Sequence, residues 1–446
     1  MLTIQGSEMG RFCDGIARRD FLSIGAMGLG FGGLTWSGMS RLLAAQKGSN
    51  PRYKAVINLH LEGGPPQMDT FDMKPESQVA LRGEFMPIRT KVPGTHICEL
   101  LPRLAKLTDK FSIIRSVVGN VDMHNFDTTQ LGYPGLDMPE PAMRSIGGAP
   151  SVGAVISKLL GDRDGMPAYT WDKVGGSQVQ VQTGWLGGRY KPFNPQQGIG
   201  IFKRTIPEAK LHDRVGLLKT LDNLKRETDT RGDMDALDVH MQEAVNMILS
   251  GRIAEAMDLS REPKAIREKY LQGATKRWAK QTERLLLARR LVEHGARYVS
   301  LNWGGYLGFD SHDNNYPKMR AILPPFDCAL ATLIEDLYER GLDKDVLVVA
   351  WGEFGRTPKV NEKGGRDHWP PVQCALIIGG GLNMGQVIGA TDRMAGEPTE
   401  RPVHVHEILA TIYRHCGIDP EETQMIDPNG RPRYLLDHRQ PISELI

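Results

Sequence analysis

The chain has 446 residues, with 55 Lys and Arg against 53 Asp and Glu and a formal net charge of +2. A surface this close to neutral gives no footing for a nucleic-acid partner. Hydrophobic residues make up 40% and charged residues 24%, which excludes a disordered chain and allows a sizeable core.

The N-terminal segment ARRDFLS carries the pair Arg18 and Arg19 followed by Phe21 and Leu22. An apolar, Gly-rich stretch over 24–34 and small residues at Ala44 and Ala45 complete a twin-arginine export signal over residues 1–45. The apolar stretch is shorter than the roughly 20 residues a membrane span needs, which favours an export signal over a transmembrane anchor, with a retained signal acting as an anchor as the alternative; the mature chain is expected to have no span. The twin-arginine translocase is then a transient partner, the destination is periplasmic or secreted, and a metal would be loaded before export of the folded chain.

From residue 50 to 446 the pattern predicts one α/β domain. Strands are expected at 53–61, 111–118 and 167–172, and short helices at 100–107 and 152–160. A charged segment over about 203–294 reads as a helical insertion, with Met241, Ala244, Val245 and Ile248 at i, i+3, i+4 and i+7 and Gly295 just past its end. A strand at 298–302 follows, then a helix with Leu330, Leu333, Ile334 and Leu337 on one face. Strands at 346–350 and 372–378 come next. GGGLNMGQVIGATD reads as a turn and returning strand, not a dinucleotide loop, since no βαβ unit follows it. Ile408, Leu409, Ile412 and Tyr413 form the face of a last helix. Alternating strands and helices predict a doubly wound, mostly parallel sheet covered on both faces. Of the five cysteines none forms a CxxC pair, and Cys328, Cys374 and Cys416 sit in apolar patterns as small buried residues.

Three apolar runs lead through glycines into polar residues, and strand ends are where α/β sheets build their sites. LHLEGGPPQMDTFD offers Asp69 and Asp72, which could bind a cation or cap a turn. YVSLNWGGYLGFDSHDNN places Asp310 and His312 on one side of an extended segment. VLVVAWGEFGRTPKVNEKGGRDHWPP supplies Glu353, Arg356 and His368, with Asp367 a carboxylate able to orient the His368 ring. Asp69, Asp310, His312, Glu353 and His368 are thus the expected ligands of a divalent metal. Zinc or manganese suits mixed His and carboxylate ligation, with calcium or magnesium as oxygen-rich alternatives. Arg356 is expected to hold a substrate anion, unless it simply pairs with Glu353. In DMHNFDTTQ, His124 and Asn125 could face an anion, and Thr128 or Thr129 could be a nucleophile or a cap. His404 and His406 read as a helix-start turn or a ligand pair.

Together GGPPQMDTFD, RGEFMPIRTKVPGTHICELLPRLAK, FDSHDNN, EFGRTP, GRDHWP and GGGLNMGQVIGATD resemble a family of exported, uncharacterised proteins (domain of unknown function 1501) assigned to the alkaline phosphatase and sulfatase superfamily. The resemblance covers the mature chain. It implies an alkaline phosphatase/sulfatase-like α/β fold, a site at the C-terminal edge of the sheet and metal-assisted hydrolysis of small-molecule or polymeric phosphate or sulfate esters. The chain departs from the family pattern in three places. Pro66 and Gln67 stand where Ser and His are common, Phe309-Asp310-Ser311-His312 replaces Trp-Asp-Thr-His, and Gly63 and Gly64 occupy the place of an acidic pair. No C/S-x-P-x-R motif is present, so a formylglycine nucleophile is not expected. The competing expectation is a binding module of the same fold, without catalysis, that recognises anionic polymers or a cell-envelope partner.

Overall fold

The runs AVINLHL and VLVVAW are buried at every position, as strands must be when helices cover both faces of a parallel sheet. They are strands β1 (Ala55–Leu61) and β5 (Val346–Trp351) of an eight-stranded sheet. Its other members are β2 (Phe111–Val118), β3 (Tyr169–Asp172), β4 (Tyr298–Trp303), β6 (Gln373–Gly379), β7 (Val387–Ile388) and β8 (Val403–His404). The structure is a computed structural model, and it describes residues 54–122, 124, 127–131, 148–172, 183–196, 250–304 and 308–446, apart from the side chains of residues 79, 80, 127 and 128. The expected export signal and the Met241 to Ile248 stripe lie outside the described residues. All described residues belong to one unit, Lys54–Ile446.

The strand order is β7-β2-β6-β5-β1-β4-β3, with β8 also paired to β2. Val56 lies opposite both Tyr298 and Leu347, so β1 runs parallel to β4 and β5. Only β6 is antiparallel to its neighbours β5 and β2. The reason is local: after β5 the chain stays at the edge it has just reached, forming the ribbon Gly355–Arg356 with His368–Trp369. Re-entering the sheet from that edge forces the opposite direction, whereas a parallel strand would need a crossover to the far edge.

Helix α1 (Val152–Leu160) starts at Ser151, whose hydroxyl accepts the Ala154 N–H. It packs with α4 (Val405–His415) on one face of the sheet, where Val155, Ile408 and Leu409 meet Val56, Val349 and Ile377. Helix α2 (Lys276–Glu293) contacts β1 and β4, and α3 (Asn315–Glu339) lies against α2. Thus the fold is the doubly wound α/β arrangement expected, with helices from 252 to 293 preceding β4. Among the cysteines, Cys98, Cys374 and Cys416 are buried and unbonded, while Cys328, against the Gly273 turn, is only half-buried.

The helices are joined by buried charge as well as by apolar area. Arg289 on α2 is fully buried and pairs with Glu262 at 2.7 Å and with Asp336 of α3 at 2.9 Å. Arg290 and Arg340 also reach Glu262. Burial would raise the Glu262 carboxyl, but Arg289 and its neighbours hold it at about 2 against an ordinary 4.5. A depressed folded value contributes stability above pH 4.5 that is lost as pH falls toward 2. Glu262→Gln is expected to cost about 3 kcal/mol near neutral pH, because it strands buried guanidinium groups. Urea unfolding midpoints measured at descending pH should show the wild-type and Gln curves converging below pH 4.5. Parallel curves would remove Glu262 from the acid response.

Candidate metal centre

Parallel pairing of β1 with β5 sets their exits side by side, so Gly63 meets Glu353. The buried Glu353 carboxylate accepts the Gly63 N–H at 2.9 Å and lies 3.2 Å from His60 Nε2. Burial first, and then the nearby His124, pull the His60 imidazole well below its ordinary value, so it stays neutral. Gly63 has φ +101°, and a Cβ there would lie 2.4 Å from the Asp310 nitrogen. A residue with a side chain would therefore push away the loop that carries Asp310.

Three histidines from three strand exits surround Asp310, and each has a carboxylate on its Nδ1. His124, beyond β2, has Nδ1 2.7 Å from Glu353 Oε1. His312, beyond β4, has Nδ1 2.6 Å from Asp367 Oδ1. His368, on the ribbon beyond β5, has Nδ1 2.5 Å from Asp122 Oδ1. The opposite nitrogens face one carboxylate: Nε2 of His124 is 3.5 Å from Asp310 Oδ2, while those of His312 and His368 are 3.1 and 3.4 Å from Oδ1. The Nε2 atoms of His312 and His368 are 3.1 Å apart. A proton on each Nδ1, donated to its carboxylate, leaves three Nε2 lone pairs and a carboxylate turned toward one point. Such a convergence repels itself unless a proton or a cation sits within it. Ligand atoms of His124, Asp310 and His368 all lie within 4.8 Å of one another.

The electrostatics follow the same geometry. Burial opposes charge on Asp310, yet bonds from His124 and His368 and the Arg356 charge hold its carboxyl far below the usual carboxylate range. His124 is likewise pulled down by burial, but Asp310 and Glu353 push it up to about 9.

The sequence expectations divide on this geometry. Asp310, His312 and His368 come together as expected, and His124 joins them at the centre. Glu353 stands behind His124, since both of its oxygens are engaged by Gly63, His60 and His124. Arg356 is fully buried, and its guanidinium donates to the carbonyls of Gly63, Gly64 and Arg366 as well as to Asp310. With its donors committed to the protein it positions Asp310 and the Gly63 turn, and it is not placed as an anion clamp. Asp69 is held away from the histidines by a two-pronged pair with the buried Arg366, at 2.8 and 3.1 Å, and by Asn315 at 2.8 Å. Asp72 is tied to Lys74 and Thr391. Thr128 lies in the short helix Asp127–Leu131 with its side chain outside the description, as is the whole of Asn125.

Sequence reasoning missed Asp122, His60 and Glu62 and gave Asp367 the wrong histidine. Glu62, directly after β1, is buried and accepts from Asn302 at 2.5 Å, so one acidic residue does stand at that strand exit. His404 and His406 take the helix-start option: their Nδ1 atoms accept the N–H groups of His406 and His438, each at 3.2 Å. Those bonds put the ring proton of each neutral imidazole on Nε2, which leaves no lone pair there for a metal.

A family model described as "Protein of unknown function (DUF1501)" matches residues 53–446. The chain belongs to that family. Among curated proteins nothing matched this DUF1501 chain. Among solved structures, the PsFucS1 sulfatase from Pseudoalteromonas sp. is 13% identical with a TM-score of 0.39, over 86% of this chain and 71% of its own. The C-terminal periplasmic domain of EcEptC from Escherichia coli, in complex with Zn, is 10% identical with a TM-score of 0.37, over 90% of this chain and 93% of its own. A protein in the alkaline phosphatase superfamily from Vibrio parahaemolyticus is 12% identical with a TM-score of 0.37, covering 82% and 67%. Likenesses this low carry no argument about activity. No described helix of the DUF1501 chain is long and apolar enough to cross a membrane.

Proposed function

We propose that the chain is an exported, divalent-metal-dependent hydrolase of phosphate or sulfate esters, with His124, Asp310, His312 and His368 as the ligand set. The observation that supports it is the threefold repetition of a carboxylate on Nδ1 and an Nε2 turned to Asp310. Carboxylates behind metal-bound imidazoles fix the tautomer and raise ligand basicity. Three imidazoles and one carboxylate suit zinc or manganese better than the oxygen-seeking calcium or magnesium. When bound, such an ion would polarise an ester oxygen and lower the pKa of a bound water. The residues of the chain orient and exclude: Arg356 and the Gly63 turn fix Asp310, and Glu353, Asp367 and Asp122 fix the three rings. A silent binding module of the same fold is favoured by one observation, the commitment of Arg356 to the protein.

Elemental mass spectrometry of protein purified without chelator, together with turnover of aryl phosphate and aryl sulfate esters, tests the proposal. One or more equivalents of a divalent metal and turnover that chelation removes are expected. Folded protein with no metal would end it, and metal without turnover would leave the module. Asp367→Asn and Asp122→Asn are each expected to weaken metal affinity 10- to 100-fold, by roughly the loss seen for orienting partners elsewhere. Competition against a chromophoric chelator measures this, and unchanged affinity in both variants would deny the carboxylates their orienting role.

A further inference from the structure

A cavity of about 380 Å³ is lined by Trp185, Tyr434, Arg433, Asp437 and Arg439, with Pro150 at the start of α1. Its volume is in the range of small-ligand pockets. Three features of the fold build it. Gly184, at φ +52°, lets the Trp185 turn close onto residues 148–150, since a Cβ there would meet the Gly148 oxygen at 2.3 Å. The hairpin of Gln424–Ile426 with Pro432–Tyr434 presents Tyr434, which is 45% exposed. Arg439 lies over the Tyr434 ring at 3.9 Å, and Arg433 is braced by Asp427 at 3.1 Å. The buried Trp185 Nε1 has no hydrogen-bond partner among the described residues.

Topology relates this cavity to the histidine centre. Helix α1 precedes β3, a strand that runs parallel to β4 and β1. The start of α1 therefore lies at the edge where those strands end, which is the edge of the histidines. His438, between the lining residues Asp437 and Arg439, has its ring 4.3 Å from that of His404. His404 pairs with Val118, the last residue of β2, four positions before Asp122.

We infer that this cavity is a saccharide subsite, and that the ester acted upon is carried by an anionic oligosaccharide reaching from the histidine centre to Trp185 and Tyr434. Aromatic faces bind the apolar faces of sugar rings while guanidinium groups pair with sulfate or carboxylate substituents. The inference deepens the hydrolase reading and rests on it for the chemistry at the far end, but binding at the cavity is measured separately.

Calorimetric titration of the full chain with a heparin hexasaccharide, at roughly 0.15 M ionic strength so that bare charge is screened, tests it. Binding is expected, with maltohexaose, which lacks acidic groups, at least tenfold weaker. Trp185→Ala, and independently Tyr434→Ala at an exposed position, should each weaken the hexasaccharide about tenfold, as should Arg439→Ala. The dependence on Trp185 should persist in metal-depleted protein, which separates failure of this subsite from failure of the metal reading. No binding, equal binding of the two hexasaccharides, or binding indifferent to both aromatic substitutions would overturn the inference.

Discussion

Asp310→Ala is expected to release the divalent ion, with affinity reduced by more than about 100-fold, the upper range for loss of a merely orienting partner. Among the described residues, Asp310 is the one carboxylate that faces all three Nε2 atoms. Without it three neutral imidazoles remain, and a cation loses the one anionic ligand among the described residues. The experiment also separates two physical pictures of the same geometry. If the cluster were a buried ion network, with protonated histidines grouped around Asp310, removal of the carboxylate would leave uncompensated cations. The chelator-treated protein would then lose about 3 kcal/mol. If the cluster is a metal site, the wild type should gain stability when metal is added, by about 2.7 kcal/mol at a hundredfold excess over Kd, and the variant should gain none. Thermal unfolding of both proteins with and without added zinc gives the answer. A wild-type midpoint indifferent to zinc and chelator, alongside a destabilised variant, would leave only the ion network.

The fold was legible because its strands are mainly apolar runs. AVINLHL, FSIIRSVV and VLVVAW can be buried on both faces, and their bounds in the structure follow the runs closely. The antiparallel sense of β6 was not legible, because it depends on where the ribbon after β5 leaves the chain and not on any residue within the strand. At the site, residue type identified Asp310, His312 and His368, since Asp-x-His and Asp-His after strand exits place ligands at one edge. Partnership was the illegible part. Asp367 is the sequence neighbour of His368 but bonds His312, and Asp122 crosses from another strand exit to His368. Asp69 looked like a ligand because nothing in its own loop announces Arg366, which lies 297 positions away. The lone His60 offered no motif; its strand alternation aims it at Glu353 only once β1 and β5 are known to be neighbours.

Arg356→Met should produce the largest loss of stability of any substitution near the site. Its side chain is fully buried and holds the carbonyls of Gly63, Gly64 and Arg366. Removing the guanidinium leaves those oxygens without their donors, each at about 1–3 kcal/mol, and frees the Asp310 carboxylate from its nearest cation. Allowing for relaxation, the sum is on the order of 4 kcal/mol, a large part of the 5–15 kcal/mol that separates most folded proteins from their unfolded chains. For a chain this long the unfolding entropy makes that a fall of roughly 5 °C in Tm. Arg356→Lys should recover little, because a point ammonium cannot reach three carbonyls and a carboxylate that a planar fork serves together. Thermal unfolding of the metal-depleted variants measures the effect free of any ion. An anion clamp predicts the opposite pattern: an unchanged midpoint, and ester affinity that falls in Arg356→Met and is largely kept in Arg356→Lys. That outcome would return Arg356 to the substrate and require its guanidinium to leave the Gly63 turn during binding.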